Sequence, residues 1–195
     1  MNDKEKLNIE ETFAQAIQNH QKNNLQIAEN LYKDILKINS NHFGSIFYLG
    51  TLLAQTKRLD LAKPLLFKAI QIRPDYADAH NNFGNILKEL GEYKSSLNSY
   101  DKAIQIQPKL ASAHYNRGVV LEKLGEYKNA INSYEKAIQI KPNLASAYYN
   151  LGLIQKELGE HQKAKSYYEM AVKYNPENLV YLFHLSELDQ KILNS

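Results

Sequence analysis

The chain has no cysteine and no tryptophan, and only five prolines among 195 residues. Without cysteine there is no disulfide framework, no thiolate zinc site and no cysteine nucleophile. No apolar run approaches the length that spans a bilayer, and the opening MNDKEKLNIEE lacks the apolar core of a signal peptide. There is no Asn-x-Ser/Thr sequon either. These absences lead to the expectation of a soluble, unexported, cytoplasmic protein. Charge of one sign is also scarce. The 24 basic and 21 acidic side chains leave a formal +3, so the chain as a whole offers no field for a polyanion.

What the sequence does have is a period. The stretch AHNNFGNILKELGEY, starting at Ala79, returns 34 residues later as AHYNRGVVLEKLGEY and again as AYYNLGLIQKELGEH. Copies begin at residues 9, 43, 77, 111, 145 and 179, and those at 77 and 111 are identical at 21 of 34 positions. The expected organisation is an extension over 1–8, five units (9–42, 43–76, 77–110, 111–144, 145–178) and a capping helix over 179–195, with Leu179, Leu182, Leu185, Leu188 and Ile192 as its apolar stripe and Glu187, Asp189 and Lys191 on a wet outer face. A 34-residue period makes a stack of units rather than a domain around one centre.

Within a unit the apolar residues recur at helical spacing twice, as Phe83, Leu87 and Leu90, then Leu97, Tyr100 and Ile104. Gly91 breaks the first run and Pro108 closes the second, so each unit reads as a helix, a turn and an antiparallel helix. Gly50, Gly84, Gly118 and Gly152 fall inside the first helix, where glycine costs about 1 kcal/mol relative to alanine. Their recurrence predicts close helix approach, with Tyr100, Tyr134 and Tyr168 filling the space against small residues such as Ala103, Ala130 and Ala164. Pro64 falls early in the second helix of its unit and is expected to shift or kink that helix start.

Small, aromatic and proline residues at these places make the chain similar to tetratricopeptide-repeat (TPR) proteins over roughly 9–195. The first two copies depart from the pattern: Asn23 and Lys57 replace the turn glycine, Ile35 a late alanine and Ser40 the closing proline. The resemblance implies an all-α fold, a right-handed superhelix (an alpha-alpha solenoid) of antiparallel helix pairs. It also implies that first helices line a concave groove for protein or peptide ligands.

On that reading Asn82, Asn116 and Asn150 form a line along the groove, with Tyr48 at the equivalent place in the second copy. A primary amide both donates and accepts, so it can hold a peptide unit whatever the side chain. Helices pack about 10 Å apart and extended chain advances about 3.3 Å per residue, so one asparagine would serve about every third ligand residue. The row resembles the asparagine ladders of O-linked N-acetylglucosamine transferases. Asn81, Asn85 and an aromatic line of Phe47, Tyr115, Tyr149 and Phe183 complete the candidate site. The alternative role for each asparagine is a strut to the neighbouring unit, and for each aromatic a wedge between units. His80 and His114 are expected to be packing residues.

No histidine pair stands at metal-ligating helical spacing, no phosphate-cradling loop is present, and no nucleophile and base are marked out, so neither a cofactor nor catalysis is expected. Lys88 and Glu89, Glu122 and Lys123, and Lys156 and Glu157 alternate in sign along the expected groove, which argues against a phosphate track. The cations of a carboxylate clamp are missing. The expectation is a non-catalytic interaction scaffold with a protein or peptide partner, no nucleic acid, no membrane, and self-association left open. The alternative is the substrate-recruiting front end of a glycosyltransferase or sulfotransferase.

Overall fold

The computed structural model describes residues 3–193, with side chains from Asn8 onward. Among these the chain is eleven helices with no strand. It divides into two compact units, residues 1–106 and 107–195.

The first unit holds α1 (Asp3–Gln21), α2 (Leu25–Ile38), α3 (Phe43–Gln55), α4 (Leu59–Ile72), α5 (Ala77–Glu89) and α6 (Tyr93–Ile106). Each odd helix pairs with the next, and α1 touches α3 as α3 touches α5. The second unit holds α7 (Ala111–Lys123), α8 (Tyr127–Ile140), α9 (Ala145–Glu157), α10 (His161–Tyr174) and α11 (Leu179–Leu193). Its hairpins are α7 with α8 and α9 with α10, and α11 packs on α10.

Every hairpin closes by the same local chemistry. The residue after the left-handed position donates its N–H back across the turn to the first helix, as Glu92 to Leu87 O at 2.8 Å, Glu126 to Leu121 O at 2.9 Å and Glu160 to Gln155 O at 2.9 Å. Gly91, Gly125 and Gly159 sit at φ of 77°, 74° and 78°. In the first two hairpins Asn23 (φ 62°) and Lys57 (φ 60°) take that conformation with a side chain attached, and Asn24 and Arg58 make the equivalent bonds. Those two copies therefore keep the turn while losing the residue that adopts it at least cost.

The in-helix glycines have the role their recurrence predicted. A Cβ on Gly84 or Gly118 would stand 2.6 Å from Tyr100 Cε1 or 2.7 Å from Tyr134 Cε1, and Gly152 meets Tyr168 in the same way. The four tyrosines Tyr32, Tyr100, Tyr134 and Tyr168 are wholly buried among alanines such as Ala28, Ala103, Ala137 and Ala171. Burying each aliphatic or aromatic side chain of this kind contributes about 1.5–3 kcal/mol. His80 and His114 are packing residues with a specific bond: each Nε2 lies against the carbonyl of a preceding helix-ending proline, Pro74 O at 2.9 Å and Pro108 O at 3.0 Å.

Two expectations differ from the structure. Pro64 does not shift the start of α4, which opens at Leu59 in register with α6 at Tyr93. Pro64 is exposed, as is Asp60, whose carbonyl loses its helical donor to the proline. The apolar stripe of α11 is split: Leu188 is buried with Ala164 and Tyr168, and Leu185 and Ile192 pack against that cluster, whereas Leu179 is 78% exposed. Two acids of its supposed wet face reach back instead, Glu187 to Lys156 at 2.8 Å and Asp189 to Lys165 at 2.7 Å.

Candidate functional site

Numbering each copy 1–34 from its first residue, the predicted asparagine row stands at position six of the first helix, and the structure ties the amides of Asn82 and Asn150 to the neighbouring hairpin. Asn82 Nδ2 donates to Thr51 Oγ1 on α3 at 3.2 Å, and Asn81 Nδ2 lies 3.4 Å from Asn82 Oδ1. In the second unit Asn150 Nδ2 on α9 donates to Tyr134 OH on α8 at 3.0 Å and lies 3.5 Å from Tyr115 OH. Asn116 is half-buried on α7. Asn85 Oδ1 accepts from Tyr100 OH at 2.9 Å.

The repeat explains these partners. Position 24 of the preceding hairpin, sixteen residues before each position six, is a buried tyrosine in four hairpins and Leu66 in the second. Leucine offers Asn82 no hydroxyl, and its amide turns to Thr51 instead. Tyr48 takes the same place against Tyr32, with rings 6.2 Å apart and 12° from parallel. His184, which the row did not include, takes it on α11, 5.9 Å from the Tyr168 ring.

Tyr134 is the junction of a short polar chain. Its hydroxyl accepts from Asn150 and donates to Glu122 Oε2 at 2.6 Å. Burial, and then the hydrogen bond to Glu122, raise its pKa far above the ordinary phenol value. Burial also raises the Glu122 carboxyl above the usual carboxylate range, against the opposing pull of the tyrosine hydroxyl and Lys123. In the first unit Glu29 is the counterpart with the opposite shift. Arg58 holds it through two bonds at 3.1 and 2.7 Å and Lys33 through one at 2.6 Å, which lowers its pKa despite burial.

The aromatic line is divided among different surroundings. Phe47 is buried, 5.1 Å from both Tyr48 and Tyr76. Tyr115 packs 5.7 Å from Tyr134, and Tyr149 stacks 4.7 Å from Tyr181. Phe183 is exposed at 65%.

Open space on the first helices lies beside these residues. In the first unit a cavity of about 300 Å³ is lined by Ile17, His20 and Gln21 of α1 and Tyr48, Thr51 and Gln55 of α3. In the second, one of about 560 Å³ has Glu122 and Lys123 of α7, Tyr127 of α8, Leu153, Ile154, Lys156 and Glu157 of α9 and Lys191 of α11. Repeat positions nine, twelve and thirteen recur in both linings, and Tyr48 is the predicted site residue that shares in one. Sequence reasoning placed the charges of positions twelve and thirteen on this face but omitted them, and position nine, from the site. The available signal was that positions six, nine and thirteen fall on one helical face.

Among the described residues no group of three His, Asp or Glu is placed to hold a metal, and no helix is long and apolar enough to cross a membrane.

Antiparallel hairpins of two helices, closed by one turn geometry and repeating every 34 residues, define a helical-repeat protein of the all-α solenoid class. Tetratricopeptide repeats occupy residues 84–178: TPR repeat models match residues 84–125 and 121–159, and the tetratricopeptide repeat model matches 145–178. Among solved structures, MamA is 26% identical, with a TM-score of 0.74 over 83% of this chain and 95% of its own. The pilF protein of Pseudomonas aeruginosa is 17% identical, with a TM-score of 0.83 over 97% of this chain and 90% of its own. YrrB, described as a TPR protein with an unusual peptide-binding site, is 20% identical, with a TM-score of 0.71 over 89% of each chain. The last two likenesses are of fold. No curated protein matches the sequence.

Proposed function

We propose that the chain is a non-catalytic scaffold that binds an extended polypeptide or a partner helix along its first-helix faces. The observation that carries this is the recurrence of open space at the same repeat positions in both units, each beside a row of half-buried amides and aromatics. Apolar walls with a few convergent polar groups are the general makeup of such sites. The amides of Asn82 and Asn150 serve first as struts. Asn150 spends its N–H groups on two tyrosines, and its carbonyl oxygen is the part left for a ligand N–H. The peptide-binding site named for YrrB is a parallel on the same fold.

Polypeptide is favoured over nucleic acid by the state of the most basic repeat. Lys57 pairs with Glu89, Arg58 with Glu29 and Lys63 with Glu92, while Lys68 donates to Ser40 O and Arg73 lies over the Phe43 ring. Cations engaged in this way leave no continuous phosphate track.

Displayed random peptides panned on the intact chain test the proposal, with enriched sequences measured by calorimetry against wild type, Gln21→Trp and Lys123→Glu. Enriched peptides that lose affinity to one of these lining changes support the scaffold. No enrichment, or binding indifferent to both changes, removes it.

A further inference from the structure

The cavity between α1 and α3 is uncharged, unlike its counterpart in the second unit. Its six lining residues include no Lys, Arg, Asp or Glu, and its histidine ring is held by two hydrogen bonds. His20 Nε2 donates to Gln55 Oε1 at 2.9 Å, and its Nδ1 lies 3.3 Å from Tyr32 OH. Thr51 is also occupied, donating to Phe47 O at 2.9 Å and accepting from Asn82 at 3.2 Å. What this leaves for an occupant is the Gln55 amide N–H, whose oxygen alone is spent on His20. Gln21 stands beside it, exposed at the end of α1.

The remaining wall is aliphatic and aromatic. Ile17 supplies the aliphatic part. His20 and Tyr48 supply two rings at 6.4 Å and 80°, with Tyr32 behind them at 6.1 and 6.2 Å. A further ring entering this cluster would meet the edge and offset contacts that aromatic groups prefer. A charged side chain would lose its hydration without finding a counter-ion.

We infer that the α1–α3 cavity is a specificity pocket for a tyrosine side chain of the bound polypeptide, its ring against Tyr48 and Ile17 and its hydroxyl accepting from the Gln55 amide. This rests on the scaffold reading and adds to it the chemical class of the anchor.

The probes are N-acetyl amides of tyrosine, phenylalanine, leucine, aspartate and lysine, titrated into the intact ¹⁵N-labelled chain. The side-chain amide signals of Gln21 and Gln55 and the backbone signal of Thr51 are followed. Tyrosinamide is expected to shift all three and to bind roughly three- to ten-fold more tightly than phenylalaninamide, the factor one hydrogen bond supplies. Gln21→Trp, an exposed change at the cavity mouth, is expected to remove the shifts with the rest of the spectrum retained. Equal binding of the phenylalanine or leucine amide overturns the assignment to tyrosine, and tighter binding of the aspartate or lysine amide overturns the uncharged pocket. No shift with any probe overturns both. If displayed peptides bind while tyrosinamide leaves these signals unmoved, the pocket falls and the scaffold stands; tyrosinamide binding without any peptide ligand has the reverse meaning.

Discussion

Replacing Gly118 by alanine should destabilise the second unit, although alanine is the better helix former. The new Cβ would lie 2.7 and 2.8 Å from Tyr134 Cε1 and Cδ1, about 1 Å inside ordinary carbon contact. Tyr134 cannot yield cheaply, because it is wholly buried and its hydroxyl is held by Asn150 and Glu122. Overpacking costs about 1–3 kcal/mol, loss of one of those hydrogen bonds adds about 1, and the propensity gain returns about 1. The net is a loss of roughly 1–3 kcal/mol, a fall of about 1 M in urea midpoint for an m-value near 2 kcal/mol per M. Gly50→Ala is the internal control. Its nearest neighbours are Leu66 Cγ and Cδ2 at 3.0 and 3.1 Å, a smaller overlap with a side chain that carries no hydrogen bond, so the two opposing effects should cancel to within about 1 kcal/mol. Urea unfolding followed by far-ultraviolet circular dichroism measures both, and hydrogen exchange locates the loss. The reasoning is refuted if Gly118→Ala keeps the wild-type midpoint, or if Gly50→Ala loses more than Gly118→Ala does.

The two units should also answer acid in opposite directions. Glu122 holds its proton more tightly folded than unfolded, so its contribution is greatest at low pH and lost as pH rises through its raised pKa. Glu29, with a lowered pKa, contributes above the ordinary carboxylate value, and its contribution is lost as pH falls through the folded one. Glu122→Gln should therefore raise the midpoint at pH 7 and lose that advantage below about pH 4, whereas Glu29→Gln should lower it at pH 7 and converge on wild type in acid, as read by urea titrations across pH. Lys57→Gly should stabilise the first unit by about 0.5–1 kcal/mol, since Lys57 sits at φ 60° and its exposed pair to Glu89 adds little; an unchanged or lower urea midpoint counts against this. Asn150→Ala should cost about 0.5–1.5 kcal/mol in the same assay, because Tyr134 keeps Glu122 as acceptor but loses its donor.

The hairpins were legible because their signals are local and repeated. Gly91 and Pro108 mark the ends of helices wherever they recur, and a glycine inside a helix that recurs with a tyrosine sixteen residues on signals close approach. What the asparagines bond to was harder to read, since a half-buried amide faces both a neighbouring hairpin and open space. The deciding partner, tyrosine or leucine at position 24, lies sixteen residues back on another helix. His20 was hidden for a related reason. It belongs to the first copy, whose letters depart most from the others, and its value comes from Gln55, thirty-five residues away. The split stripe of α11 shows the same limit: periodicity finds an apolar face but does not say whether a neighbour covers all of it.

The hairpin closures carry a kinetic consequence. Each turn is sealed by a hydrogen bond spanning five residues, and each helix finds its partners within its own or the adjacent copy, so no early step requires distant parts of the chain to meet. Low contact order of this kind favours rapid folding, and near-equivalent hairpins give the chain several places to start. The glycine-closed hairpins at Gly91, Gly125 and Gly159 adopt their turns at less conformational cost than the copies that turn on Asn23 and Lys57.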